Sequence, residues 1–358
     1  MRMLLAGGGT GGHLFPAIAI AEQLLRQDQK AEVRFVGTAR GLEAKLLPKL
    51  GLSLELIDMV GLVGRGLTGA AQLLPKLYRS LRQSLKIIGD FRPDIVVGVG
   101  GYSSFPVLCA AGLKGIPFIL HEQNAKAGLS NRVLAYFAER ICLSIPGSGD
   151  NLPQRKLVIT GNPLRQGVVE LEAALPGEGK ILIFGGSLGA HAINELMMNS
   201  LPILRQMGIT ASVIHQTGEA DAEQVRATYL AAGETQTEVL PFIEDMATAY
   251  KNARLVVCRA GATTIAELCA CGRPALMIPL PSAAADHQTA NATAMETAGA
   301  VKMLVQSELN AEMLAEAISG LWLDDERLGQ MADAARSLGQ KDAAERVVAV
   351  CVQVLSED

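Results

Sequence analysis

MRMLLAGGGTGGH at residues 1–13 and KILIFGGSLGAH at residues 180–191 open the two halves of the chain in the same way. Each stretch is a short apolar run, then a glycine-rich turn, then a histidine at the start of a helical pattern. A buried strand that enters a helix through glycines is typical of parallel α/β folds. The repetition predicts two doubly wound Rossmann-like domains of similar size, with a ligand in the cleft between them.

Short apolar runs alternate with longer helical patterns throughout the chain. In the first half the runs are RMLLA, VRFVG, DIVVGV and PFILH, and in the second half RLVVC and PALMIP continue the rhythm. This alternation predicts parallel sheets connected by crossover helices, so the fold class is α/β.

Turn-rich sequence at residues 144–156 and Pro163, which disfavours helix at the residue before it, mark the end of the first domain. We predict a first domain over residues 1–162 and a second over 163–340. Residues 343–355 form an amphipathic pattern. It predicts a closing helix over 341–358, which can pack on either domain and for which the first domain is the expected partner.

The charge balance and the cysteines exclude several classes of protein. The 358 residues carry 32 Lys and Arg against 36 Asp and Glu, a net charge of −4, so no overall basic field attracts nucleic acid. The six cysteines include no Cys-x-x-Cys pair, which favours reduced, mostly buried thiols over disulfides or a zinc site.

Two features bear on the cellular location. The chain enters its first glycine loop at Gly7, too soon for a signal peptide, which predicts a cytoplasmic protein. Residues 95–113 are uncharged over 19 positions, close to the length that spans a bilayer, but four glycines and a proline interrupt them. We interpret this segment as a buried strand, a glycine turn and a helix rather than a transmembrane helix.

Gly7, Gly9 and Gly12 match the G-x-G-x-x-G dinucleotide fingerprint. The fingerprint also needs an acidic residue at the end of the second strand, where VRFVGT ends in Gly37 and Thr38 instead, so a nicotinamide enzyme is disfavoured. The loop can still offer the backbone N–H groups of residues 10–13 and a positive helix end to a polar ligand. The alternative is a tight turn that needs glycine for its geometry alone.

The second half presents a similar loop at residues 185–189 and a further helix start at residues 261–264, where amides can stabilise a pyrophosphate. Glu267 follows and can accept hydrogen bonds from the two hydroxyls of a ribose, or it is an exposed helix glutamate. Arg165 can pair with phosphate oxygens through its planar guanidinium, or it is solvated on a linker.

A polar cluster lies near the end of the second half, in the stretch PLPSAAADHQTANA. Asp286, His287, Gln288 and Asn291 have the polar side chains that fix the hydroxyls of a sugar. The alternative for Asp286 is a helix N-cap.

Eight motifs occur in one order over essentially the whole chain: GGGTGGH, GGYSSFP, HEQN, GNP, GGSLGA, HQTG, CRAGATTIAE and DHQTANA. Together they resemble the MurG family. That family is the peripheral membrane glycosyltransferase of peptidoglycan biosynthesis, which moves N-acetylglucosamine from its UDP donor onto lipid I to give lipid II. The resemblance implies the GT-B fold, with the donor bound mainly by the C-terminal domain and the acceptor by the N-terminal domain.

The resemblance also assigns roles to matching positions. It implies that ten residues contact the uracil, ribose, diphosphate or sugar of UDP-GlcNAc: Thr10, Gly11, Gly12, Asn124, Arg165, Ser187, Ile243, Ala262, Glu267 and Gln288. Within this set, Ile243 faces the uracil and Gln288 and Asn124 face the sugar. The acceptor contacts that it implies are Gly101, Tyr102 and Ser103. Phe105 stands where many relatives carry a small residue, so we expect a different shape for that wall of the acceptor site.

The reaction implied is an inverting displacement, in which the C4 hydroxyl of the muramyl sugar attacks the anomeric carbon. It needs a base, and we predict His13, because an imidazole titrates near neutral pH. His121 and Glu122 are the rivals, and a histidine that merely caps the loop is the alternative. No Asp-x-Asp motif is present, and we expect no metal or other cofactor because helix dipoles and Arg165 can stabilise the departing diphosphate.

Membrane contact is expected in the first domain. Residues 59–89 contain five basic residues but no Asp or Glu. In the same stretch a leucine recurs every four positions from Leu73 to Leu85. We predict an interfacial patch on an anionic membrane, at the cytoplasmic face of the inner membrane, formed by Leu73, Leu77, Tyr78, Arg79, Leu81 and Arg82. The alternative is a leucine stripe that packs on its own core.

Two other functions compete with the transferase. A UDP-GlcNAc 2-epimerase shares the fold and the donor but needs no lipid acceptor, and a sugar-nucleotide sensor would need neither catalysis nor the basic apolar patch. The sequence favours the transferase, with UDP-GlcNAc, lipid I and other cell-wall enzymes as partners.

Overall fold

The computed structural model describes residues 1–59, 67–145, 147–172, 174–281, 283 and 286–357, with the backbone alone for residues 67–74. The chain divides into two compact units. Unit 1 is Met1–Arg165 together with Lys341–Asp358, and unit 2 is Gln166–Gln340.

Unit 1 contains a seven-stranded sheet in the order β3-β2-β1-β4-β5-β6-β7, and neighbouring strands are parallel throughout. The strands are β1 (Arg2–Ala6), β2 (Glu32–Gly37), β3 (Ser53–Leu56), β4 (Ile95–Gly98), β5 (Phe118–Glu122), β6 (Arg140–Leu143) and β7 (Leu157–Ile159). The helices of unit 1 are α1 (Gly11–Gln27), α2 (Glu43–Leu46), α3 (Leu67–Phe91), α4 (Ser104–Leu113), α5 (Leu129–Leu134) and α14 (Ala343–Glu357). Single 3-10 turns lie at Pro48–Leu50 and Gln154–Lys156.

The sheet of unit 1 is covered on both faces, which explains why its strands are almost continuously apolar. Met3 and Leu5 of β1 lie in one apolar cluster with residues of α1 and α14. Leu4 and Ala6 point to the opposite face and pack with residues of α3, α4 and α5.

Unit 2 contains a six-stranded sheet in the order β10-β9-β8-β11-β12-β13, also parallel throughout. The strands are β8 (Lys180–Phe184), β9 (Val213–Gln216), β10 (Thr237–Leu240), β11 (Ala253–Cys258), β12 (Ala275–Met277) and β13 (Val301–Met303). The helices are α6 (Gln166–Val169), α7 (His191–Gln206), α8 (Ala222–Ala231), α9 (Met246–Asn252), α10 (Ala262–Cys271), α11 (His287–Thr297), α12 (Ala311–Trp322) and α13 (Asp325–Ser337). A 3-10 turn lies at Gln306–Glu308.

The predicted α/β class with two doubly wound parallel sheets is confirmed. In each unit the strand order reverses beside the first strand, between β1 and β4 in unit 1 and between β8 and β11 in unit 2. Ligands of such sheets bind outside the carboxyl ends of the strands at this reversal. Both glycine loops quoted above lie there, directly after β1 and β8.

The division between the units falls after Arg165, three residues beyond the predicted boundary. Arg165 contacts unit 1, since its guanidinium lies 4.2 Å from the centroid of the Phe15 ring of α1. The chain returns to unit 1 at Lys341, and α14 packs against α1 and β6. Val347 and Cys351 of α14 are fully buried.

Residues 95–113 fold as β4, a turn and α4, as predicted. Among the described residues, no helix combines the length and the apolar character that crossing a membrane requires. All six cysteines are free thiols, and five of them are buried.

Candidate active site

The two loops at the strand reversal of unit 1 touch each other. Gly101 has a φ of +82°, and a Cβ atom at this position would lie 2.5 Å from the carbonyl oxygen of Gly8. Only glycine permits this approach, so the loop after β4 lies directly on the loop after β1. Tyr102 extends from the same loop, with its hydroxyl 3.3 Å from Oγ1 of Thr38 at the end of β2.

A carboxylate that the sequence reasoning missed holds the first glycine loop. Glu43 of α2 is buried and accepts hydrogen bonds from the backbone N–H groups of Gly9 and Thr38, each at 2.8 Å, and from the Thr38 hydroxyl at 3.2 Å. The Gly9 amide is therefore not free for a ligand, and the amides predicted to face one are those of residues 10–13, which follow it. The acidic residue of a dinucleotide site binds a ribose, whereas this one binds the loop itself.

His13 lies in the first turn of α1 and is half-buried. Its Nδ1 atom lies 2.9 Å from the carbonyl oxygen of Val99 and 3.2 Å from Oε1 of Gln123. Both partners are acceptors, so Nδ1 carries the proton in the neutral ring and Nε2 keeps its lone pair. Within the described part of the chain, Nε2 has no hydrogen-bond partner. The ring is arranged to accept a proton from a ligand at Nε2.

The two rivals of His13 do not have this freedom, and their geometry favours His13 as the candidate base. His121 is fully buried, its Nε2 atom lies 3.0 Å from the carbonyl oxygen of Gly161, and burial lowers its pKa to about 4. Glu122 is also buried, and its carboxylate accepts hydrogen bonds from Asn124, Gly128 and Asn131. Both side chains hold the loop after β5 in place.

The predicted acceptor residues lie at the start of α4. Ser103 immediately precedes the helix, is 1% exposed, and its hydroxyl has no hydrogen-bond partner among the described residues. A helix start with an unsatisfied buried hydroxyl is suited to an anionic group. Phe105 is half-buried and packs on the core between the sheet and α4, so its ring is directed partly into unit 1.

The predicted ribose ligand Glu267 is 4% exposed on α10. Its Oε2 atom accepts a hydrogen bond of 2.9 Å from the hydroxyl of Tyr250, which is itself fully buried. Burial and the nearby carboxylate raise the pKa of Tyr250, so the phenol stays protonated and donates. The reading of Glu267 as an exposed helix residue is therefore wrong, and Tyr250 is a second residue that the sequence did not indicate.

The loop after β8, residues 185–189, is held by the HQTG segment that follows β9. Nε2 of Gln216 donates to the carbonyl oxygen of Gly186 at 2.7 Å. Gly189 has a φ of +78°, and a Cβ atom there would lie 1.9 Å from the carbonyl oxygen of Thr217. Ser187 is half-exposed in the middle of this loop.

The remaining predicted donor residues of unit 2 lie on three segments. Ile243 is 6% exposed between β10 and α9, and Ala262 is half-exposed in the first turn of α10. Oε1 of Gln288 accepts a hydrogen bond of 3.0 Å from the backbone N–H of Leu280, which fixes its carboxamide. Asp286 stands at the N-cap position of α11 but its side chain makes no capping hydrogen bond.

Three predicted donor contacts, Thr10, Gly11 and Gly12, begin α1 in unit 1, and Thr10 and Gly12 are exposed. Asn124 is half-exposed and donates from Nδ2 to Glu122 at 3.2 Å. Arg165, predicted to hold phosphate, lies against the Phe15 ring of α1. Burial raises the pKa of the nearby Glu22, and Arg26 and Arg165 oppose this increase.

Family models match both units of the chain. The glycosyltransferase family 28 N-terminal domain matches residues 3–143, and the family 28 C-terminal domain matches residues 180–347. A UDP-N-acetylglucosamine--N-acetylmuramyl-(pentapeptide) pyrophosphoryl-undecaprenol N-acetylglucosamine transferase of Syntrophotalea carbinolica is 51% identical, over 100% of both chains. The crystal structure of MurG from Acinetobacter baumannii is 35% identical, covers 98% of both chains and has a TM-score of 0.74.

The chain belongs to the MurG family. A putative UDP-N-acetylglucosamine 2-epimerase from Listeria monocytogenes has a TM-score of 0.72, with 100% of this chain and 97% of that one covered. Its identity is 17%, so this likeness shows the fold alone.

This MurG-family chain also contains a polar network behind the loop after β8, which runs from the exposed His191 to the buried His215. Asp221 accepts hydrogen bonds from Asn194 at 2.7 Å and from His191 at 3.0 Å. Asn194 contacts Nε2 of His215 at 3.0 Å, and Nδ1 of His215 lies 2.8 Å from the Tyr229 hydroxyl. His215 belongs to the HQTG motif, and burial lowers its pKa to about 3.

The membrane patch predicted for this MurG-family chain needs correction. Leu77 and Leu81 of α3 are half-buried and pack on the core of unit 1, because they face α4 and the sheet. Tyr78 is 64% exposed and the Arg79 side chain is 70% exposed, although it pairs with Asp58. Arg82 is exposed as well. The side chain of Leu73 lies outside the described residues.

Sequence reasoning missed a second apolar surface, which we call the α5 patch. It consists of Leu129, Val133, Tyr136 and Phe137, with exposed fractions of 71, 48, 68 and 70%. Their spacing of four, three and one places them along one side of α5 and the turn that follows it. Helices α3, α4 and α5 are neighbours on one face of the sheet.

Among the described residues no group of three or more His, Cys, Asp or Glu side chains is placed to hold a metal ion.

Proposed function

We propose that the protein transfers N-acetylglucosamine from UDP-GlcNAc to the C4 hydroxyl of the muramyl sugar of lipid I, which gives lipid II and UDP. The observation that carries this proposal is the 51% identity over the full length of a transferase with this activity in its name. The hydrogen bonds of His13 and Glu267 support it. Those of His13 leave Nε2 to accept a proton, and the bond from Tyr250 orients the Glu267 carboxylate that can accept from a ribose.

The donor half of the reaction is assigned to unit 2. Glu267 accepts one bond from Tyr250, and a carboxylate can accept further bonds from the two ribose hydroxyls. The loop after β8 and the start of α10 present backbone amides and helix dipoles at adjacent strand ends, where a diphosphate is stabilised. Ile243 with the uracil and Gln288 with the sugar complete the assignment in unit 2. Asn124, also assigned to the sugar, belongs to unit 1.

The acceptor half is assigned to unit 1. Nε2 of His13 takes the proton from the C4 hydroxyl as the oxygen attacks the anomeric carbon. The C–O bond to UDP breaks on the opposite face, and the electron pair leaves with the diphosphate, so the anomeric configuration inverts. Gly101, Tyr102 and Ser103 at the start of α4 bind the anionic part of the acceptor, with the free Ser103 hydroxyl as a donor.

A transfer assay with radiolabelled UDP-GlcNAc and a lipid I analogue tests this function, run with and without magnesium. We expect labelled lipid II analogue from the wild type, and at least a hundredfold less from His13→Ala, because general-base catalysis contributes about 10²–10⁴-fold. An assay without acceptor separates the epimerase, which would convert the donor on its own. Donor conversion without acceptor, or full turnover by His13→Ala, contradicts the proposal.

Peripheral binding to the cytoplasmic face of an anionic membrane completes the proposed function, since lipid I is held in the bilayer. The exposed apolar side chains of the α5 patch and Tyr78 lie on the same helical layer of unit 1. Exposed cations flank them: Arg79, Arg82, Lys86, Lys114, Lys126 and Arg132. Apolar side chains can enter the headgroup region, while each cation near an anionic surface contributes about 1 kcal/mol.

A further inference from the structure

A continuous line of hydrogen bonds runs from His13 into the interior of unit 1. Nδ1 of His13 lies 3.2 Å from Oε1 of Gln123, and Nε2 of Gln123 lies 3.0 Å from Nδ1 of His121. Nε2 of His121 lies 3.0 Å from the carbonyl oxygen of Gly161. Gln123 is 2% exposed and His121 is not exposed at all, so these bonds are shielded from solvent.

The direction of every bond follows from the carbonyl of Gly161 at the inner end of the line. A carbonyl only accepts, so Nε2 of His121 carries a proton. Burial lowers the pKa of His121 to about 4, so the ring is neutral near pH 7 and its Nδ1 atom is an acceptor. Gln123 must then turn its NH₂ group toward His121, which leaves its oxygen facing His13.

The carbonyl of Val99 reinforces the same arrangement. It accepts from Nε2 of Gln123 at 2.8 Å and lies 2.9 Å from Nδ1 of His13. A flipped Gln123 amide would place its oxygen against this carbonyl and against the lone pair of His121. Nδ1 of His13 therefore faces two fixed acceptors, and the proton of the neutral ring is held on that side.

We propose that Gln123 and His121 are positioning residues, which hold His13 in the tautomer whose Nε2 atom can accept the proton of the acceptor hydroxyl. This inference depends on the proposed role of His13 as the base. Neither residue contacts the reacting atoms. Their effect is to fix the ring orientation and the proton before substrate binds, as a hydrogen-bonded partner does for other catalytic histidines.

The first test measures the tautomer without any turnover. The full chain is labelled with [15N]histidine, and long-range proton–nitrogen spectra are recorded near pH 8, with His13→Asn used to assign the resonances. We expect His13 to carry its proton on Nδ1 in the wild type. Gln123→Leu should shift the ring toward a mixture of both tautomers. A wild-type ring protonated on Nε2 would overturn the proposal, whatever the enzyme does.

The second test measures turnover with the same variants. We expect Gln123→Leu to lower kcat about tenfold, the effect of losing one buried hydrogen bond, while the KM for UDP-GlcNAc stays unchanged. Tautomer loss without a change in kcat, or a lower kcat with the tautomer intact, overturns the proposal.

Two further variants keep the test valid if Gln123→Leu folds poorly. His121→Phe removes the acceptor that orients the Gln123 amide and leaves Gln123 in place, so it should loosen the His13 tautomer in the same way. Gln154→Leu is the matched control, since Gln154 also bonds two backbone carbonyls of unit 1, those of Gly149 and Leu152. It should change neither the spectrum of His13 nor kcat. A transfer assay that fails for the wild type disproves the proposed function, whereas the tautomer spectrum still reports on the hydrogen bonds.

Discussion

The hydroxyl of Tyr250 donates a 2.9 Å hydrogen bond to Oε2 of Glu267, and the two side chains come from different helices, α9 and α10. The ring of Tyr250 packs edge-on against Phe184 at the end of β8, with centroids 6.2 Å apart. The carboxylate proposed to bind the ribose is therefore held by a fully buried phenol whose ring packs against β8.

Removing this phenol hydroxyl should weaken donor binding. For Tyr250→Phe we expect the KM for UDP-GlcNAc to rise about three- to tenfold with little change in kcat, because Glu267 loses one hydrogen bond that orients it. Steady-state kinetics measure this. Tyr229→Phe is the control, since its equally buried hydroxyl contacts His215 instead. Equal increases in KM for both variants would contradict the assignment.

Gly189→Ala should disrupt the loop after β8. The new methyl group would lie 1.9 Å from a backbone carbonyl, and the φ of +78° disfavours any side chain. We expect a loss of at least about 2 kcal/mol in the free energy of unfolding and a raised KM for UDP-GlcNAc.

The control for Gly189→Ala is Gly329→Ala in α13, where a methyl group meets no atom within 4 Å. Alanine favours helix over glycine, so this variant should gain about 1 kcal/mol in urea unfolding. A stable Gly189→Ala variant with normal donor binding would show that the close approach to Thr217 is unimportant.

Glu43→Gln tests how the first glycine loop is held. A carboxamide has one oxygen and one NH₂ group, so it cannot accept from both Gly9 and Thr38, and one buried N–H loses its partner. We expect a cost of about 1–3 kcal/mol in unfolding free energy and a higher KM for both the acceptor and UDP-GlcNAc, since Thr10, Gly11 and Gly12 follow in the same loop. Glu55→Gln, which removes only a surface ion pair with Arg34, should leave all three quantities unchanged.

Stability should fall as the solution is acidified, because the folded chain buries two neutral histidines. The pKa values of His121 and His215 are lowered to about 4 and about 3, while an unfolded histidine has a pKa near 6.5. Their contribution is complete above pH 6.5. As pH falls from there toward the folded values, each should cost about 1.4 kcal/mol per pH unit, because only the unfolded chain takes up the proton.

Urea unfolding at pH 7.5 and pH 5 measures this loss, with the transitions of the two units fitted separately. His121→Phe should flatten the dependence in unit 1 and His215→Phe in unit 2. His191 has the opposite sign, because hydrogen bonding to Asp221 raises its pKa and its stabilisation is lost as pH rises. His191→Asn should therefore steepen the loss toward pH 5, and a flatter curve for it would refute this account.

The α5 patch should control membrane binding. The double variant Tyr136→Glu with Phe137→Glu should weaken co-sedimentation with phosphatidylglycerol vesicles at least about tenfold. Two exposed aromatic rings are lost, and the two new carboxylates are repelled by the anionic lipid. Leu230→Glu, at a position 70% exposed on α8 of unit 2, serves as the control and should bind normally. If only Arg79→Glu and Arg82→Glu weaken binding, the surface is centred on α3 instead.

The fold could be predicted because its determinants are local. Apolar runs such as residues 180–184 and the glycines that follow them specify parallel strands and tight turns regardless of what packs around them. The same reasoning placed His13 at a helix start and Glu267 about a turn and a half beyond another helix start. It could not show that Glu267 is buried, since that depends on Tyr250, which lies 17 positions earlier in the sequence.

The parts that were missed depend on contacts across the sheet. Glu43 reaches a loop that is 34 residues away in sequence, and no spacing rule connects the two. His121 and His13 are the same residue type in the sequence. In the fold His121 is fully buried, whereas His13 stays partly accessible. The leucines of α3 have the period of both a membrane face and a core face, and only the position of α4 decides between them.

The return of α14 to unit 1 determines the order in which the protein can mature on the ribosome. Unit 2 is synthesised entirely between two parts of unit 1, so it is the first to have all its residues available. Until Val347 and Cys351 emerge, α1 and β6 lack the apolar partner that covers them. Unit 1, whose translation starts first, is therefore the last to complete its core. In nascent chains halted before residue 341, unit 2 should be folded while unit 1 is still incomplete.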